Sequence, residues 1–257
     1  MGRSRIGLMS SSDEICRIYE RTDLRRAGGG VIRPGGLKLT QRALAAAALP
    51  PGSRVLDMGC GTGVTLGYLI HQCRFRGVGI DLSINLLDEG RGQDPGLPLA
   101  QALGAHLPFI DAAVGAILAE CSLSLMEDVG RALDECARVL KPGGILLVHD
   151  VYARSPESGS RLKGLPLRCC LTGAVSREEW IERIEGAGFE VTHWEDQSQA
   201  LKEFAARLIF SHGSLESFWC GSGGGGGMEA GREIQQAVAS AKPGYFLAIA
   251  RKVSGAP

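Results

Sequence analysis

The stretch VLDMGCGTG, Val55 to Gly63, decides the fold. Its apolar start follows the breaker Pro50-Pro51-Gly52 and reads as a buried strand. Gly59, Gly61 and Gly63, at alternate positions, read as a tight turn into a helix. Glycine lets a backbone approach a ligand closely, and the first turn of a helix carries N–H groups with no intrahelical partner. A bare loop at the carboxyl end of a strand is where an open α/β sheet binds its ligand. Asp57, just before the turn, repels a pyrophosphate and attracts an ammonium. The Gly-x-Gly-x-Gly spacing also differs from the Gly-x-Gly-x-x-Gly of dinucleotide folds.

Working outward, VGIDLS (Val78 to Ser83) is a second apolar run, ending in Asp81, 22 positions after Gly59. A carboxylate at the end of the second strand can accept both hydroxyls of a ribose. Either piece alone also describes an ordinary strand, turn and helix with a capping acid. In register within one βαβ unit they point to a nucleoside ligand.

VLDMGCGTG, VGIDLS, LPF (Leu107 to Phe109) and ARVLKPGG (Ala137 to Gly144) together resemble the motif series of class I S-adenosylmethionine-dependent methyltransferases, over about residues 40 to 195. The resemblance implies an α/β, Rossmann-like methyltransferase fold, with a mostly parallel seven-stranded sheet and helices on both faces. It implies S-adenosyl-L-methionine as cofactor and S-adenosyl-L-homocysteine as product. Asp57 would hold the methionine amino group, Gly59, Cys60, Gly61 and Gly63 would pass beneath the cofactor, and Asp81 with Leu82 would take the ribose. The family's usual acid for the adenine amino group is replaced by Leu103, which leaves the backbone of Gly104 and Ala105 to meet the ring. Cys60 also reads as a small filler of the loop.

A narrower resemblance connects ECSLSL (Glu120 to Leu125), HDVYA (His149 to Ala153) and Cys170 in CLTGA to arsenite methyltransferases, a branch near the ubiquinone-pathway C-methyltransferases. It implies that Cys170 binds trivalent arsenic with Cys169, Cys121 or Cys220, since soft thiolates suit a thiophilic centre. Cys16 and Cys73 do not match the further cysteines of that branch. Three functions follow: methyl transfer to an unidentified small molecule, arsenite methylation, or a non-catalytic cofactor-binding scaffold.

The expected fourth strand, Val114 to Ala119, delivers Glu120, Cys121 and Ser122 to the ligand edge. Glu120 is a candidate to touch the cofactor, hold substrate or act as a base; as a loop acid it can equally pair with a nearby arginine. Cys121 and His149 are the other catalytic candidates, and Tyr152, Cys169 and Cys170 are substrate candidates. Residues 1–36, rich in arginine, form either a solvated extension or a lid that brings Tyr19 and Arg33 to the ligand. The methyltransferase domain is expected over 37–257, with insertions at about 153–175, as a loop or cap, and 197–243. Ser222 to Gly227 is a glycine tract expected to be mobile.

With 257 residues, 44% of them hydrophobic, and zero formal net charge, the chain supports a sizeable core and has no bulk field for nucleic acid or a membrane surface. Only 5% of residues are aromatic, few for stacking on single strands. The N-terminus lacks a signal-peptide core, so a cytoplasmic location with reduced thiols for the eight cysteines is expected. No C-x-x-C pair suggests zinc, and no metal is expected.

Overall fold

A computed structural model describes residues 18–22, 30–220 and 227–253. Its centre is a seven-stranded sheet in the order β3-β2-β1-β4-β5-β7-β6. The first half alternates α1 (Gly36–Ala47), β1 (Arg54–Met58), α2 (Val64–His71), β2 (Arg76–Asp81), α3 (Ile84–Gln93), β3 (Leu99–Gln101), β4 (Val114–Glu120), α4 (Val129–Val139) and β5 (Leu140–Tyr152). All five strands are parallel. There follow α5 (Pro156–Lys163), α6 (Arg177–Gly186), β6 (Phe189–Asp196), α7 (Ser198–His212), α8 (Leu215–Cys220), α9 (Gly227–Ala241) and β7 (Gly244–Lys252). β7 runs antiparallel to both β5 and β6. The expected fold class is the one observed.

Strand parity makes the two faces. Leu56, Ile117, Leu146, Val148 and Ala248 pack with Cys136 of α4 and with Trp180 and Ile184 of α6. Val55, Ala116, Leu118, Leu147 and Ile249 pack with Ala43 of α1 and Leu69 of α2 on the other side. Period-2 side chains of a sheet buried on both faces require this division. A third cluster joins Ile18, Leu39 and Cys121 to Leu162, Leu208, Phe218, Trp219 and Ile234, so the segments that follow β5 and β6 pack with the N-terminal segment as a layer of their own.

Local chemistry sets the helix starts. Ser83 Oγ accepts the Leu86 N–H at 3.2 Å, and Asp128 Oδ1 accepts that of Arg131 at 2.9 Å. Ser176 Oγ likewise accepts the Glu179 N–H at 3.1 Å, as its spacing suggests.

Several expectations are corrected. The expected loop at 153–175 contains α5 and a 3-10 turn, Cys170–Gly173. Ser155 caps α5 and Pro156 opens it, a start signal hidden among the breakers around it. The run Leu97 to Leu103 reads as a third strand, but β3 covers only Leu99–Gln101 of it. β5 begins at Leu140, before the Lys141-Pro142-Gly143-Gly144 turn, because Leu140 pairs with Val114 ahead of a register shift. Gly227, expected within the mobile tract, opens α9. The tract before it and most of the N-terminal extension lie outside the described residues.

Trp180 is fully buried, and its indole N–H donates to the Val151 carbonyl at 2.9 Å. Trp180→Ala is expected to cost about 3–5 kcal/mol, read as a lower urea midpoint with an unchanged slope.

Candidate active site

The glycine loop is shaped by positive φ angles of 80° at Gly59, 56° at Gly61 and 81° at Gly63, which a β-carbon disfavours. The N–H groups of Gly59 and Cys60 both donate to the Ile80 carbonyl, at 2.8 and 2.9 Å, fastening the loop to β2. From the end of β2, Asp81 accepts the Gly61 N–H at 2.8 Å and the Ser83 N–H at 2.9 Å. Burial raises its pKa, against the lowering effect of these backbone hydrogen bonds. The carboxylate is thus oriented before any ligand arrives.

Above the loop lies a cavity of about 470 Å³. Gly59, Cys60, Gly61, Asp81 and Leu82 line it, as do Gly104 and Ala105 at its far end and Glu120 and Cys121 at the tip of β4. A β-carbon at Gly61 would meet no protein atom within 4 Å, so the space above that residue is open for a ligand. At Gly59 one would come within 2.5 Å of Ser122 Cβ. Gly63 caps α2 and faces Leu97 and Leu99 instead of the cavity wall. Cys60 packs its sulfur over Gly79, the filler reading, and burial pushes its thiol pKa up.

Glu120 is the most heavily engaged side chain. It pairs with Arg33 at 2.7 Å, accepts the hydroxyls of Thr40 at 2.8 Å and Thr65 at 3.2 Å, and lies 2.8 Å from His149 Nδ1. Burial pushes its pKa up, but Arg33, His149 and Thr40 together hold it at about 2. A carboxylate so paired is a poor proton acceptor near neutrality. Asp57 beside it goes the other way. Burial and the Glu120 charge raise its carboxyl to about 8, despite Arg33, and its Oδ2 has no partner.

Of the remaining candidates, Cys121 lines the cavity in a left-handed conformation, φ 57°, with its thiol 3.5 Å from the Tyr245 hydroxyl. His149 is buried behind Glu120 and does not line the cavity. Tyr152 faces the opposite side of the sheet, where its hydroxyl donates to Asp196. Cys169 and Cys170 lie behind the wall. The Cys170 N–H donates to the Tyr19 hydroxyl at 2.9 Å, and the neighbouring Cys121 lowers its thiol pKa. Tyr19 and the stretch Gly30 to Arg33 do reach the cavity. Thr40 and Thr65, absent from the sequence reading, carry no local signal: each looks like an ordinary polar residue on a helix until Glu120 is placed beside it.

A methyltransferase domain model matches residues 56–148. The demethylmenaquinone methyltransferase of Corynebacterium kroppenstedtii is 31% identical over 225 residues, covering 86% of this chain and 95% of that one. The chain is a class I S-adenosylmethionine-dependent methyltransferase. S-adenosylmethionine is its cofactor, and the residues fit it: an open glycine cradle, an acid at the end of β2 oriented by two backbone N–H groups, and at Asp57 a buried oxygen lacking a donor. The arsenite methyltransferase of Halobacterium salinarum is 28% identical over 197 residues, 74% of this methyltransferase and 47% of that protein. A crystal structure described as the [4+2]-cyclase SpnF superposes with a TM-score of 0.73 at 27% identity, covering 98% of this chain and 100% of that one. No helix among the described residues is long and apolar enough to cross a membrane.

Asp81→Ala is expected to weaken S-adenosylhomocysteine binding at least tenfold, since hydrogen bonds to a charged group contribute about 1.5–3 kcal/mol each and the Gly61 loop loses its anchor. Gly59→Ala should abolish binding through the clash with Ser122 while leaving a cooperative unfolding transition. Calorimetry and urea melts check both.

Proposed function

We propose that this methyltransferase acts on a small-molecule acceptor entering beside Cys121. The observation that carries this reading is the roof of the cavity: Tyr19 and Gly30 to Arg33 lie on its wall together with the glycine loop. Such a chamber suits a small acceptor better than a macromolecular one. When bound, the cofactor supplies an activated methyl group on a sulfonium. The chain's own contribution is placement: Asp81 holds the ribose, Gly59 and Gly61 give the backbone cradle, and Asp57 accepts from the ammonium directly or through water. Orientation of this kind can supply about 7–11 kcal/mol of a barrier. Glu120, fixed by Arg33, Thr40 and Thr65, shapes the wall near the acceptor and leaves proton removal to other groups.

The thiol pair Cys121 and Cys170, with Cys169 adjacent, favours arsenite as a second reading. Against it, burial holds the Cys169 thiol up at about 12. Among the described residues, no three His, Cys, Asp or Glu side chains converge as a metal site.

Methyl transfer from labelled S-adenosylmethionine, assayed against phenolic, amine and enolic acceptors and against arsenite with glutathione, tests the two readings. The first expects turnover on an organic acceptor that survives Cys170→Ser; arsenite turnover abolished by that substitution would reverse the order. A pH series gives a further check. Asp57 binds a proton below about pH 8, and the cofactor's ammonium favours its ionised form. Affinity for S-adenosylhomocysteine should therefore rise with pH towards 8, and Asp57→Asn should flatten that slope.

A further inference from the structure

The acidic and basic side chains on the cavity wall gather at three places. Asp81 stands at the end of β2, oriented by the Gly61 and Ser83 N–H groups. Arg33 and Glu120 close on each other at 2.7 Å, with side chains 7% and 4% exposed. Glu127, Asp128 and Arg131 are exposed, and Arg131 Nε donates to the Ala105 carbonyl at 3.2 Å, which keeps this group at the far end with His106.

Among the described residues, the stretch of wall beside Cys121 carries no charge except the closed pair. There Tyr19 and Ile32 pack against the cluster that contains Cys121, and the Cys170 N–H holds the Tyr19 hydroxyl at 2.9 Å. Leu125 ends the 3-10 turn Leu123–Leu125 and lines the cavity, its N–H donating to the Ser122 carbonyl at 3.2 Å. Asp150 fixes that turn, accepting the Ser124 N–H at 3.0 Å and the Ser124 hydroxyl at 2.5 Å, and it also accepts the Val151 N–H at 2.8 Å. Ser122 Oγ is taken up by the Met58 carbonyl at 2.7 Å. Arg33 borders this stretch, but its charge is matched by Glu120 and its remaining Nε is buried. Apolar surface placed against such a wall leaves water favourably, whereas a charged group would lose its hydration and find no partner.

We propose that the acceptor is an uncharged, apolar organic molecule held beside Cys121 by Tyr19, Ile32 and Leu125. Acceptors that carry a phosphate, carboxylate or ammonium next to the reacting atom are excluded by the cost of stripping that charge of water. The inference rests on the small-molecule reading above and gives that molecule its chemistry. Ile32 and Leu125 then set specificity, one from the N-terminal segment and one from the turn after β4.

Three naphthalenes that differ in charge test it on the full chain saturated with S-adenosylhomocysteine: neutral 1-naphthalenemethanol, cationic 1-naphthylmethylamine and anionic 1-naphthoate. Each displaces N-phenyl-1-naphthylamine, a neutral probe whose fluorescence rises in apolar surroundings. The alcohol should displace it at about tenfold or more lower concentration than either charged compound. In Ile32→Asp the alcohol should weaken about tenfold and the ammonium should become the best of the three; if that variant does not fold, Leu125→Asp takes its place with the same expected reversal. A charged compound equal to or better than the alcohol in the wild type overturns the proposal, as does an unchanged order in the folded variant or no binding of the neutral probe. Failure to bind S-adenosylhomocysteine would strike the cofactor assignment instead. In the acceptor assay, turnover on arsenite alone strikes the small-molecule reading, whereas turnover on a charged organic acceptor keeps that reading and overturns this one.

Discussion

The arrangement of the ligand edge depends on one buried ion pair, Arg33 with Glu120. Taking both charges out of water is costly, and their attraction is useful only where further hydrogen bonds complete the shell. Here Thr40 of α1 and Thr65 of α2 supply them. Three stretches distant in sequence are fastened at one point: Arg33 with Thr40 of α1, the first turn of α2 and the tip of β4. Removing one partner of such a pair leaves an uncompensated charge, typically worth 3–5 kcal/mol. The pair therefore constrains the cavity shape more than it stabilises the fold.

The same arginine divides two neighbouring carboxyls into unlike states. Glu120, in contact with it, stays ionised to about pH 2, whereas Asp57, more remote and facing the Glu120 charge, holds a proton up to about pH 8. Two acids of similar intrinsic strength are thus driven apart by their surroundings, the aspartate, ordinarily the stronger, ending as the weaker. With Asp57 protonated, the charges of Arg33 and Glu120 balance within this group of three.

What the sequence made legible is what depends on neighbours in the chain. The glycine loop, the caps at Ser83 and Ser176 and the acid at Asp81 are local devices with residue types that announce them. Even LPF and ARVLKPGG prove to be parts of one contact, since Arg138 donates to the carbonyls of Leu107 at 3.1 Å and Phe109 at 2.8 Å. Glu120 was illegible in its partner: its pairing with an arginine was one of the open readings, but nothing local specifies Arg33. Position at the end of a strand points Tyr152 and His149 to the site, and the resemblance to arsenite methyltransferases points Cys169 and Cys170 there. Whether they face it depends on strand parity and on what packs above, which a single chain of letters does not fix. α9 was hidden by the glycines in front of it, although Ile234, Val238 and Ala241 have helical spacing.

The reversal of β7 decides where variation is tolerated. Because β7 is antiparallel to β5 and β6, the sixth strand finishes at the same edge of the sheet as β4 and β5. The connection through α7, α8 and α9 therefore departs from and returns to the ligand edge without crossing either face of the sheet. Such a segment can be lengthened, exchanged or redesigned as a cassette while the nucleoside-holding half keeps its register. The topology thus separates two parts of one chain, a half that carries the glycine loop and a surface that can change without disturbing it.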